Sequence, residues 1–66
     1  MKLTKIDGWY VDLEKIEAIG PLYATNFQNG NNETIYAYKI YLPSCQIEVY
    51  DNIYPRKNFE KIENNN

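Results

Sequence analysis

The sequence has no histidine, and its 66 residues include one cysteine, one arginine, three glycines and three prolines. Without histidine the commonest general base is missing, and with it imidazole metal sites and the usual Ser or Cys triads. Cys45 stands alone, so it can neither close an internal disulfide nor complete a zinc site with a second Cys or a His. A reducing, cytoplasmic setting is therefore expected. Met1 to Ile6 lacks the apolar stretch of a secretory signal, and no run reaches the roughly 18 apolar residues of a membrane span. Asn32-Glu33-Thr34 matches a glycosylation acceptor, which without a leader reads as coincidence.

Positive charge is also scarce. The formal net charge is −2 and the isoelectric point about 4.9, so no broad cationic field attracts nucleic acid or anionic lipid. The glycines stand singly at turn positions and build no phosphate loop. Carboxylate pairs such as Asp12 with Glu14, or Glu14 with Glu17, read as cap and surface charges, because so short a chain can hardly enclose a catalytic pocket. No enzyme activity, cofactor or metal is expected.

What the chain does have is tyrosine: seven, beside two Phe and one Trp. Such side chains pack at one end and hydrogen-bond at the other, which suits cores and interfaces alike. Ile, Asn, Lys and Tyr supply 30 of the 66 residues, all with codons rich in A and T, which points to an AT-rich genome such as a low-GC bacterium or its phage.

The pattern predicts a mainly β domain over residues 1–63, with one short C-terminal helix and a polar, frayed tail at 64–66. About five antiparallel strands are expected, built from successive hairpins. Asp7-Gly8 favours a tight turn that sets Ile6 opposite Trp9 and Thr4 opposite Val11. Asp12 is expected to cap a single turn before a short strand near Ile19. Asn29-Gly30 signals a second hairpin, with Tyr23 opposite Tyr36 and Ala24 opposite Ile35. At Pro43-Ser44 a third hairpin sets Leu42 opposite Cys45, Ile40 opposite Ile47, Tyr38 opposite Val49 and Lys39 opposite Glu48. Tyr36, Tyr38, Ile40, Leu42, Cys45, Ile47 and Val49 then form the core face, with Cys45 a buried structural thiol. A helix over Pro55 to Glu63, with Phe59 and Ile62 three apart, is expected to cover one face of the sheet, leaving the other to the N-terminal hairpin, a second subunit or a target protein.

The opposite face carries Leu22, Ala24, Ile35, Ala37, Tyr41 and Tyr50 in these registers, which is too apolar for a plain solvent face and demands a cover. Leu22, Ile35, Tyr41 and Tyr50 are thus candidate partner contacts. Tyr36 and the adjacent basic pair Arg56 and Lys57 are candidate ligand or phosphate contacts, although the basic pair reads more simply as solvated surface charge.

The run Lys2-Leu3-Thr4-Lys5-Ile6-Asp7-Gly8, followed by Tyr10-Val11-Asp12-Leu13-Glu14-Lys15-Ile16-Glu17, resembles the opening of flagellar FlbD-like proteins. It is also similar to many small phage proteins, and the acidic, AT-rich, Cys-poor composition of so small a chain resembles, without a match of residues, phage accessory proteins that inhibit host enzymes or defence systems. The resemblance implies a short strand and turn, a segment lying along the sheet, and a hairpin. The long Asn29-Gly30 hairpin and the Tyr-rich strand depart from the flagellar pattern, so no function is carried over from it. Three functional classes stay open: an interaction protein that binds and inhibits or regulates a host protein, an oligomeric nucleotide-binding module, and a single-stranded nucleic-acid-binding β domain. The last is disfavoured by charge, and a homodimer would suit all three.

Overall fold

The computed structural model describes residues 2–53 and 55–63. Asp7 and Gly8 take positive φ values of 49° and 84°, and they join β1 (Thr4–Ile6) to β2 (Trp9–Val11) in the expected register. A 3-10 turn follows at Leu13–Lys15, where the Asp12 carboxylate accepts the Glu14 N–H at 3.1 Å. β3 (Ala18–Ile19), β4 (Tyr23–Gln28), β5 (Thr34–Tyr41) and β6 (Gln46–Asp51) form the second sheet, and α1 (Lys57–Glu63) ends the described chain. The molecule is thus mainly strand with one short C-terminal helix, as expected, and its six described strands form antiparallel sheets of two and four strands.

β5 is the centre of the larger sheet. β6 pairs along one edge from Tyr36 to Tyr41, so β3 and β4, which also pair with β5, must lie in succession along the other. Gly20 and Pro21 break what would otherwise be one strand. A Cβ added at Gly20 would stand 3.6 Å from the Lys39 carbonyl oxygen and from the Tyr41 ring, an ordinary contact distance.

The β5–β6 ladder has the register predicted from its alternation, including Lys39 opposite Glu48 and Tyr38 opposite Val49. Leu42 and Cys45 close it with paired backbone bonds of 2.8 and 3.4 Å. Cys45 is exposed, however, and not buried. It stands at the rim of the Pro43-Ser44 turn, beyond the reach of the elements that cover the core.

The β4–β5 register corrects the sequence reading. Tyr23 stands opposite Ala37 and Ala24 opposite Tyr36, while Gln28 stands opposite Thr34. Asn29-Gly30 does not make a two-residue turn. The loop runs from Asn29 to Glu33, closed by Asn29 N–H to the Glu33 carbonyl at 2.9 Å, with Asn32 at φ 62°. The Asn29 side-chain oxygen accepts the Asn31 and Glu33 N–H groups at 2.8 and 3.1 Å, an Asx arrangement that competes with the tight turn. Between Ala24 and Gln28 the strand bulges. Thr25 stitches the bulge: its hydroxyl donates to the Ile35 carbonyl at 2.7 Å and accepts the Phe27 N–H at 3.1 Å. Because side chains alternate with period two, this net slip of one residue turns Leu22 and Ala24 to the core face and Tyr23 to the outer one.

The core holds Ile6, Val11, Tyr38, Ile40, Ile47 and Val49, flanked by Leu13, Ile16, Ile19, Leu22, Leu42, Phe59 and Ile62. The β1–β2 hairpin, the 3-10 turn and α1 therefore all cover one face of the larger sheet. The helix starts at Lys57, two residues after Pro55. Asp51, only 8% exposed, explains that start: its carboxylate accepts the Asn58 and Phe59 N–H groups at 3.2 and 2.9 Å. It is an N-terminal cap supplied from a strand, satisfying donors that the helix cannot satisfy itself. The Tyr38 hydroxyl donates to the same carboxylate at 3.3 Å. Burial, foremost, and the Asp51 charge beside it raise the Tyr38 phenol well above its ordinary value, with Arg56 opposing.

Asp51→Ala strips the cap and leaves a buried tyrosine hydroxyl unpaired, so a loss of about 1–3 kcal/mol is expected. Urea unfolding followed by circular dichroism measures it. Asp51→Asn should recover part of the loss, because an amide oxygen still accepts.

Candidate functional site

Cross-strand partners share a face, so the register places Tyr23, Ile35, Ala37, Lys39, Tyr41, Gln46, Glu48 and Tyr50 on the side of the larger sheet away from the hairpin and helix. Phe27 joins them, its ring meeting that of Tyr50 edge-on at 6.2 Å. Ala37 is fully buried, yet it lies on this outer side. Its neighbours on that face are tyrosines, and a small central residue beneath large rings lets those rings cover it. Tyr41 and Phe27 are 38% and 60% exposed, while Tyr23, Ile35 and Tyr50 are half-buried.

Glu48 organises the rings. Its carboxylate accepts the Tyr23 hydroxyl. That hydrogen bond, foremost, together with one from Tyr50, holds the Glu48 carboxyl below the usual carboxylate value. Reciprocally, the bond to Glu48 pushes the Tyr23 phenol up to about 12 and raises the Tyr50 phenol as well. Lys39 lies opposite Glu48 in the ladder and favours its charged form. Two rings of this face, those of Tyr23 and Tyr50, thus direct their polar tips at one central carboxylate.

Of the partner contacts expected from the sequence, Tyr41, Tyr50 and Ile35 share this face. Leu22 does not, since it packs against the core. Tyr23 and Phe27 were hidden from the assignment by the β4 bulge, although Tyr23 is visible in the sequence as part of the tyrosine set. Tyr38 is fully buried and offers no ring to a ligand.

The expected ligand contacts are separated. Tyr36 lines a cleft of about 540 Å³ together with Asn29, Glu33, Thr34, Asn52 and Ile53. Arg56 is occupied elsewhere: its guanidinium stacks 4.2 Å from the Phe59 ring centroid and 5.1 Å from that of Tyr38, so it is not the plain solvated charge its sequence position suggests. Lys57 is exposed on the first turn of α1. The Tyr36 cleft thus has a carboxylate and amides on its walls and neither cation. Among the described residues no group of three His, Cys, Asp or Glu gathers to hold a metal ion, and no helix is long and apolar enough to cross a membrane.

Comparison with known protein families, with characterised proteins and with solved structures finds no match to this chain.

A lowered Glu48 stabilises the fold at pH values above the ordinary carboxylate value of 4.5, and that contribution is lost as pH falls through the depressed folded value. Glu48→Gln removes the titration. Urea midpoints measured from neutral pH down to the acid range should therefore fall more steeply for the wild type than for Glu48→Gln, the two curves converging at low pH.

Proposed function

We propose that this protein is a non-enzymatic interaction protein, phage-encoded, that acts in the host cytoplasm by binding and inhibiting or regulating a host protein, with a defence protein the favoured target. One observation carries the reading. The larger sheet is covered on one side by its own hairpin and helix, while the other side offers Tyr23, Phe27, Tyr41 and Tyr50 to the outside. Exposed aromatic patches with a few charges among them are the composition of interface centres, where Tyr in particular supplies binding energy. The acidic balance and the AT-rich residue usage support the phage origin. The absence of histidine favours binding over chemistry.

The partner surface is expected to be apolar at its centre, with an acceptor positioned for Lys39 and no carboxylate set against Glu48. Flat aromatic faces of this kind dock protein more readily than a nucleotide, for which the Tyr36 cleft lacks a phosphate-binding cation.

The test compares the tagged wild type with the Tyr41→Ala/Tyr50→Ala double variant in affinity capture from a low-GC bacterial lysate, read by native mass spectrometry. A stoichiometric host protein held by the wild type and weakened roughly thirtyfold or more in the variant, the ~2 kcal/mol of an interface hot spot, is the expected result. A partner retained equally by both would remove this face from the site. A small-molecule mass in place of any protein would move the function to ligand binding.

A further inference from the structure

The two edges of the larger sheet are treated differently. Leu42 and Cys45 exchange both backbone bonds, and bonded pairs alternate along an antiparallel ladder, so residues 47, 49 and 51 of β6 bond β5 while 46, 48 and 50 aim their backbone groups away from it. Three of these outward groups are bonded by side chains. The Asp7 carboxylate accepts the Tyr50 N–H at 2.8 Å, the Trp9 indole N–H donates to the Glu48 carbonyl at 3.2 Å, and the Asn58 amide donates to the Tyr50 carbonyl at 2.8 Å. The hairpin and the helix thus block that edge along Glu48 and Tyr50.

The β4 edge is not. The Gly20 and Glu17 N–H groups donate to the carbonyls of Lys39 and Tyr41 at 2.7 and 2.8 Å, so the odd residues of β5 face β3 and β4. Tyr23, opposite Ala37, takes up such groups; Ala24, opposite Tyr36, aims its N–H and C=O outward. At the far end Asn29 is the residue bonded to Glu33, which turns Gln28 outward as well. Among the described residues nothing is bonded to the outward groups of Ala24 or Gln28. The strand Tyr23–Gln28, Tyr-Ala-Thr-Asn-Phe-Gln, also contains no charge and no proline, the residues with which exposed edges are normally blocked.

We infer that a second copy of this chain pairs with the open β4 edge, antiparallel, about a two-fold axis at Asn26 that sets Ala24 of each copy opposite Gln28 of the other. A two-fold interface must be self-complementary, and an uncharged strand meets itself without like charges opposed. A two-fold pair uses the β4 edge of both copies, and the β6 edge is blocked along Glu48 and Tyr50, so pairing closes at two copies. The bulge at Thr25–Phe27 keeps the ladder short, so the dimer is a weak one. Ala24 and Gln28 both lie on the core side of their strand, so the two outer faces become one surface with Phe27 of each copy near the axis. This inference does not depend on the identity of any host partner.

Sedimentation velocity over about 1 µM to 1 mM, the range in which small interfaces dissociate, should show the mass rising from the 7.8 kDa of one chain to twice that value. Asn26→Lys places two like charges at the axis, and Ala24→Pro removes an outward N–H without touching the β4–β5 ladder. Each should stay monomeric with an unchanged circular dichroism spectrum, while Tyr41→Ala should dimerise like the wild type. A wild type that stays monomeric throughout would overturn the inference. So would dimers that survive both edge variants, or a dimer lost in Tyr41→Ala and kept in Asn26→Lys, which would put the interface on the face.

Discussion

The β5–β6 ladder is the constraint on which the other elements depend. A side chain on a strand has only two faces to choose from, so once Lys39 stands opposite Glu48, the opposite side receives Tyr38, Ile40, Ile47 and Val49 together. The same register delivers Asp51 to the core side beside Tyr38, where its carboxylate is positioned to receive the start of α1. A helix of seven residues is too short to persist on its own propensity. It forms here because its first donors meet a fixed acceptor and its apolar residues, Phe59 and Ile62, meet the core. Phe59 sets its ring edge-on to Tyr38 at 6.1 Å, and Arg56 closes over both. Helix position, helix start and the stacking of the only arginine are thus all consequences of one strand register.

The same ladder decides where the N-terminal hairpin goes. β6 exposes a row of unpaired backbone groups, and hydrophobic contact alone would let the hairpin slide along it, because apolar burial has no direction. Asp7 and Trp9 remove that freedom by bonding Tyr50 and Glu48. Asp7 serves twice, since its positive φ also makes the turn that presents its carboxylate to the edge. For a chain of this size, in which each kilocalorie is a large part of total stability, such directional bonds choose one packing of the small core among several.

Much of this was readable from residues adjacent in sequence. The Asp7-Gly8 turn, the Asp12 cap and the Pro43-Ser44 hairpin involve local chemistry with few competitors, and their registers follow from it. The β4 register was not readable in the same way. Asn29-Gly30 carries the strongest hairpin signal in the chain, but Asn29 can bond its own loop amides, and Thr25 can replace a ladder bond with its hydroxyl. Two local alternatives, each modest, together move the strand by one residue and exchange Tyr23 for Leu22 on the outer face. Asp51 capping α1 was hidden for another reason: the acceptor comes from a strand, so no sequence spacing at the helix start announces it. Cys45 followed the apolar alternation on paper, yet alternation says which side a residue faces and not how far the covering elements extend. The exposed aromatic face itself was visible as an excess of apolar residues on the second side of the sheet, with Tyr41, Tyr50 and Ile35 placed on it and Tyr23 and Phe27 added by the structure.

The organisation of that face bears on what it can do. Rings free to rotate lose entropy when a partner immobilises them, about 0.5–1.5 kcal/mol for each ordered side chain. Tyr23 and Tyr50 are already held by Glu48, and Phe27 is held against Tyr50. Much of that loss has therefore been incurred on folding, and the rings are oriented before any partner arrives. The arrangement also has a cost, because a carboxylate central to an aromatic surface must keep its hydrogen bonds when water is excluded, or it opposes burial. The two tyrosine hydroxyls supply those bonds from within the chain. Glu48 can consequently be covered without a cation from the partner, which broadens the surfaces the face can accept while still rejecting one that sets a second carboxylate against it.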